Sequence, residues 1–218
     1  TDSFVSNAYN RLSAMPCGST IGTSSARRTA ILKHYYPHLE IKLLRGNVQT
    51  RLNKLDNGEY DGIILASAGL KRLNLQSRIK EALDSNKFIP AIGQGALAIE
   101  ILSSRLDLMV LLASLDDNDT FIATEAEREV GRLLGADCSV PIGVYAKILH
   151  NGELHLSAVV ANNNDGKFIT ASVSDNKENY LSIAKSTVKI LKDKGVENIL
   201  GKKITSKLNF CNGISGIE

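Results

Sequence analysis

Lys54-Leu-Asp-Asn-Gly-Glu-Tyr-Asp-Gly-Ile-Ile-Leu-Ala66 is the stretch whose reading decides the fold. From Tyr60 to Ala66 it is a continuous apolar run of strand length, the pattern of a parallel strand covered on both faces. Asn57-Gly58 ends a helix expected over Val48 to Leu55. Upstream, Leu39 to Leu44 is expected as a strand and Arg45-Gly-Asn47 as the turn after it. Before that, the strand end Ser19-Thr-Ile-Gly22 leads to Thr23, Ser24 and Ser25, whose hydroxyls can cap a helix running from Arg27 to His34 and stopped near Pro37. Ser3 to Ser6 is a further strand. Strand, helix, strand in repetition predicts an open, parallel α/β sheet, in which ligands bind at the strand carboxyl ends. Thr23–Arg28, Arg45–Arg51 and Ala66–Arg72 all fall there.

Downstream the pattern changes. Residues 88–100 form a crossing segment with Pro90, Gly93 and Gly95 as hinge points. Helices are expected over Arg105–Ser114 and over Thr120–Leu134, the second capped by Asp119 or Thr120 and closed by Gly135. Val140–Leu149, Glu153–Ala161 and Lys167–Val173 are three strands, the first two joined at Asn151-Gly152. Leu181, Ala184, Val188 and Leu191 recur at helical spacing. A small three-stranded antiparallel sheet with a helix is the economical reading. The run 162–165 is expected as a loop, and the tail after Lys203 as frayed.

The chain has 218 residues and 43% hydrophobic content, enough for two domains with real cores. No apolar run reaches the ~20 residues needed to cross a bilayer, and no export signal opens the sequence. A soluble, unexported, cytoplasmic chain is expected. Three widely spaced cysteines, Cys17, Cys138 and Cys211, suit neither a disulfide framework nor a metal site, and His34, His38, His150 and His155 have no ligand spacing. No metal, membrane or nucleic-acid partner is expected. Residues 1–100 hold 13 Lys and Arg against 8 Asp and Glu, and the remainder 13 against 15. Such a modest local excess suits a small anionic ligand better than a polyphosphate backbone.

Two features carry chemistry. Arg27 and Arg28 open a helix whose N-terminus already favours an anion, so they are unfavourably placed unless a ligand or an acid neutralises them. The competing reading is a solvated helix face. Arg45, Arg51 and Arg72 tip the balance towards a polyanionic ligand, since guanidinium forks hold carboxylates in a planar, bidentate way. Cys138 follows a helix in Gly135-Ala-Asp-Cys-Ser-Val-Pro141, where a thiolate could bond a ligand covalently; the alternative is a small buried hydrophobe, the only reading available for Cys17 and Cys211. Gly93-Gln-Gly-Ala-Leu-Ala98 matches a dinucleotide fingerprint in letters but lacks its strand–turn–helix setting.

The chain resembles the porphobilinogen deaminase (hydroxymethylbilane synthase) family. The matching stretches are Asp2-Ser-Phe-Val-Ser6, Ile21-Gly-Thr-Ser-Ser-Ala-Arg-Arg28, Leu44-Arg-Gly-Asn47 with Thr50-Arg-Leu52, Lys54 to Ala66, Ala68-Gly-Leu-Lys-Arg72, Ile92-Gly-Gln-Gly-Ala96, Glu125-Ala-Glu-Arg128 and Cys138-Ser-Val-Pro141. The resemblance implies a periplasmic-binding-protein-like open sheet over residues 1–92 and a segment, 93–116, returning to a mostly absent first domain. It further implies a C-terminal α+β domain over 117–218. It implies a dipyrromethane cofactor on a Cys138 thioether, held with Thr23, Ser25, Arg27, Arg28, Arg45 and Gln94. Arg51, Arg72 and Asn47 would serve the substrate porphobilinogen, which the family joins head to tail into hydroxymethylbilane in haem biosynthesis. The family's proton-handling aspartate, in a His-Ser-Met-Lys-Asp-Val-Pro motif, would precede position 1. No catalytic residue is therefore expected in this chain, the complete protein is expected to be a monomer, and the chain alone is expected to be inactive. The alternatives are a non-catalytic anion-binding remnant and a nucleotide-binding oxidoreductase.

Overall fold

The computed structural model describes residues 1–135, 140–162 and 167–201. The first half builds a five-stranded sheet from β1 (Asp2–Val5), β2 (Thr20–Thr23), β3 (Glu40–Leu43), β4 (Gly62–Ala66) and β5 (Glu81–Ala82), in the order β3-β2-β4-β1-β5. Helix α1 (Ala26–Tyr35) joins β2 to β3, α2 (Val48–Asp56) joins β3 to β4, and the short α3 (Ser67–Arg72) follows β4 directly. Strand β4 is apolar throughout because it is covered twice. Ile64 packs with Phe4, Ile21, Ile31 and Leu32 on one face, while Ile63 and Leu65 pack with Val5, Leu44, Leu52 and Leu70 on the other.

The predicted parallel pairing holds for β2 with β3 and for β2 with β4. It fails for β1, which runs antiparallel to both β4 and β5, with Phe4 opposite Ile64 and Glu81. The sheet is therefore mixed. Strand–helix order constrains the direction only of strands that a helix connects, and β1 has no such link to β4.

The second half carries α4 (Leu106–Leu112), α5 (Asn118–Leu134), a sheet of β6 (Ile142–Ile148), β7 (Glu153–Ala161) and β8 (Phe168–Asn176), then α6 (Tyr180–Asp193) and α7 (Val196–Leu200). The sheet is antiparallel in the order β6-β7-β8. Ile122, Ala126, Val130 and Leu134 of α5 and Ile183, Ala184, Val188 and Leu191 of α6 bury one face of it over Val144, Leu154, Leu156 and Ala158. Leu181, expected on this inner stripe, lies on the outer side of α6 and is exposed. The cap of α5 is Asp117, whose carboxylate accepts from the Thr120 N–H, rather than Asp119 or Thr120. Helix α4 is shorter than expected and is followed by a single 3-10 turn, Ala113–Leu115. Cys17 is exposed, not a small core residue. Cys138, Cys211, residues 163–165 of the expected loop and the tail from 202 lie outside the described residues.

The two sheets meet along β6 and α1. Val144 of β6 donates its N–H to the Pro90 carbonyl at 2.9 Å, and His34 of α1 stacks on Phe168 of β8 with ring centroids 4.1 Å apart. Gly143 makes this approach possible. A Cβ there would lie 2.5 Å from the Ile89 carbonyl oxygen and 3.0 Å from Cδ of Arg27.

Candidate functional site

Strands β2, β3 and β4 run the same way, so their carboxyl ends share one rim of the sheet. Ser25 caps α1 at the end of β2, its Oγ accepting from the Arg28 N–H, while Thr23, almost fully buried, accepts from the Ser25 N–H. Asn47 caps α2, its Oδ1 accepting from both the N–H and the hydroxyl of Thr50. Thr23, Ser25 and Asn47 are thus hydrogen-bonded to the backbone that carries the arginines.

Arg27 and Arg28 are buried, at 5% and 8% exposure, which excludes a solvated helix face. Their counter-charge is Asp2, fully buried at the head of β1. Its Oδ2 accepts from Nη1 of Arg27 at 2.9 Å, and its Oδ1 accepts from Nε and Nη2 of Arg28 at 3.2 and 2.8 Å. Gln94 closes the network, donating to Asp2 at 2.8 Å and accepting from Nη2 of Arg27 at 3.2 Å. Backbone carbonyls take further donors, Ile89 from Arg27 and Ile64 from Arg28. Burial pushes the Asp2 carboxyl up, but Arg28 and then Arg27 outweigh it and hold it below the ordinary carboxylate range. Burial likewise depresses Arg27, against the pull of Asp2. Two cations and one anion leave this cluster positive, and Nε of Arg27 is buried without a hydrogen-bond acceptor.

The other arginines sit further out on the same rim. Arg51 donates to the Gly46 carbonyl at 2.7 Å and reaches Ser24 at 3.4 Å. Burial, and then the charge of Arg28, lower its pKa, so the two guanidinium groups feel each other. Arg72 reaches the Gly95 carbonyl at 3.4 Å, and Arg45 is exposed. Gly93 and Gly95 both have positive φ in turns that lead into no helix before α4, so the dinucleotide setting is missing. Among the described residues no cluster of three or more His, Cys, Asp or Glu could hold a metal, and no helix is long and apolar enough to cross a membrane.

Sequence reasoning missed Asp2 and Glu127. Both lie in stretches that carry the resemblance, Asp2 to Ser6 and Glu125 to Arg128, but no local pattern marks their burial: Asp2 opens a strand, and Glu127 stands between Glu125 and Glu129 on a charged helix. Glu127 is buried, with Oε2 accepting from the Gly93 N–H at 2.7 Å and Oε1 from the Ala146 N–H at 2.8 Å. Burial pushes its carboxyl up to about 7, against the two N–H groups and Arg128, which pull it down.

Fold and site together define a two-sheet α/β protein with a guanidinium-rich rim at the carboxyl ends of its parallel strands. The family model for the dipyromethane cofactor binding domain of porphobilinogen deaminase matches residues 1–109, and the model for that family's C-terminal domain matches residues 121–208. The chain belongs to the porphobilinogen deaminase family. Among its relatives, the porphobilinogen deaminase of Chromobacterium violaceum is 48% identical over 199 residues, covering 91% of this chain and 64% of that protein. That of Paraburkholderia phytofirmans is 46% identical over 202 residues (91% and 59%). That of Neisseria meningitidis serogroup B is 45% identical over 206 (94% and 66%). The chain thus spans roughly three fifths of the length of these relatives, by the coverages of 59 to 66%.

Proposed function

We propose that this chain is the cofactor- and substrate-holding part of a porphobilinogen deaminase. Cys138 carries a dipyrromethane through a thioether, and the rim arginines hold carboxylates of that group and of porphobilinogen. The observation that carries the reading is the buried, net-positive cluster of Asp2, Arg27 and Arg28 with the orphan Nε–H of Arg27. A buried donor without an acceptor costs about 1–3 kcal/mol, and a ligand oxygen placed there would relieve it. A ligand rich in carboxylates therefore fits this donor set. The approach of β6 supports the same reading, since Gly143, five residues after Cys138 in the sequence, abuts Arg27.

In this proposal each residue has a separate task. Arg27 and Arg28, oriented by Asp2, supply fixed positive potential. Arg45 lies nearer solvent and takes a carboxylate of the dipyrromethane, Arg51 and Arg72 form carboxylate bonds as successive substrate units arrive, and Ser25 and Asn47 keep the two helix starts rigid. Bound through sulfur, the dipyrromethane would supply the pyrrole end on which porphobilinogen is polymerised to hydroxymethylbilane in tetrapyrrole biosynthesis. Residues 1–92 form the ligand-binding unit, 93–116 return to a further domain, and 117–218 form the unit bearing the cofactor cysteine.

Intact-mass measurement tests the covalent step. The wild-type protein, produced at the full length of its relatives in a cell that makes haem, is expected to carry the mass of two pyrrole units, and Cys138→Ser to lack it. An unmodified wild type would overturn the proposal and favour an anion-binding remnant.

A further inference from the structure

Strand β6 is the edge of its sheet, and its outward N–H groups need acceptors from elsewhere. Residues 89–94 run along that edge. Val144 is satisfied directly by the Pro90 carbonyl. Two residues on, the N–H of Ala146 and the N–H of Gly93 are both donors, and no direct bond between them is possible. Glu127 resolves the conflict by offering one carboxylate oxygen to each, at 2.8 and 2.7 Å. The neighbour of Gly93 is Gln94, whose side chain bonds both Asp2 and Arg27. We propose that Glu127 is a positioning residue, a clasp that fixes the 89–94 segment to the C-terminal sheet and so sets Gln94 against the buried Asp2–Arg27–Arg28 cluster. The inference rests on this juxtaposition alone and stands whatever ligand the rim takes.

Only a carboxylate fills the role. A glutamine keeps the shape and one acceptor but turns its own N–H2 towards the other donor, and a protonated glutamate offers a weakened acceptor on one side. The charge facing Glu127 is Arg128 on its own helix. The 90–93 turn and β6 present N–H groups, α6 packs on α5 through Ile183, Ala184, Thr187, Val188 and Leu191, and the nearby Asp2 and Arg27 are paired with each other.

Amide exchange measured by NMR on the full chain tests the clasp. In wild-type protein the Gly93 and Ala146 amides, corrected for intrinsic rates, should lose protection as pH falls through about 7, where the Glu127 carboxyl takes its proton. The Gln94 side-chain amide signals should shift with the same midpoint. Global stability should move the other way. The folded carboxyl titrates above its ordinary value of 4.5, so its contribution is whole below about 4.5 and is lost as pH rises through about 7. That opposition separates a clasp from general loosening. Glu127→Gln should speed exchange of at least one of the two amides by about tenfold or more at pH 8 and abolish the pH dependence, a factor typical of one lost charge-assisted hydrogen bond. Equal protection in both proteins, or wild-type protection that is flat from pH 5 to 9, overturns the proposal. Should Glu127→Gln fail to fold, the wild-type titration alone decides.

Discussion

At the residue scale, two guanidinium groups and one carboxylate are buried together, so each depends on the others for its charge. Removing Asp2 leaves two buried cations facing each other. Asp2→Asn is expected to cost about 3–5 kcal/mol in urea unfolding, the usual penalty for stripping one partner from a buried pair. A loss under about 1 kcal/mol would mean that relaxation or water neutralises the arginines instead. Because Asp2 is held below the ordinary carboxylate range, its contribution is present above that range and is lost as pH falls below it. Arg45 makes the contrast. It is exposed, so Arg45→Leu should change stability by no more than about 0.5 kcal/mol while lowering the fraction of the complete protein that carries the dipyrromethane, as read by intact mass. Unchanged loading would remove Arg45 from the site. The arginines were legible as a group from their types and spacing. Their burial was not, because the neutralising acid lies 25 residues from Arg27, outside the reach of any local pattern.

At the element scale, the start of α1 was legible as a hydroxyl cap among Thr23, Ser24 and Ser25, of which the backbone selects Ser25, whereas Asn47, read only as the end of a turn, caps α2. The start of α5 was misplaced because Asp116, Asp117, Asp119 and Thr120 are all competent caps, and only backbone geometry chooses among them. The direction of β1 had no local signal at all. Gly143 shows how one element is docked on another: Ile89 O is backbone and cannot swing aside from an added methyl group. Gly143→Ala is therefore expected to cost about 1–3 kcal/mol, measured as a lowered melting temperature, together with faster exchange of the Val144 amide. Wild-type exchange at Val144 would show that the strand need not lie so close.

At the scale of the whole molecule, the described chain leaves an apolar strip uncovered. Leu97, Leu102, Leu106, Val110, Leu111 and Leu115 are each more than half exposed, within and beside α4. Solvent-facing apolar surface of this extent drives association. The 218-residue chain is expected to self-associate at micromolar concentration and to bind a hydrophobic dye, and Leu106→Glu with Val110→Glu to reduce both. A monomer that binds no dye would contradict the returning role proposed for residues 93–116. Local order along the chain determined which residues form strands and helices, where the antiparallel sheet begins, and that arginines gather at strand ends, because apolar periodicity, capping side chains and turn residues act over a few positions. Tertiary structure alone decided the antiparallel β1, the burial of Arg27 and Arg28 on Asp2, and the meeting of Glu127 with Gly93 and Ala146. Those depend on desolvation and on pairing between groups far apart in the chain, and neither leaves a trace in neighbouring residues.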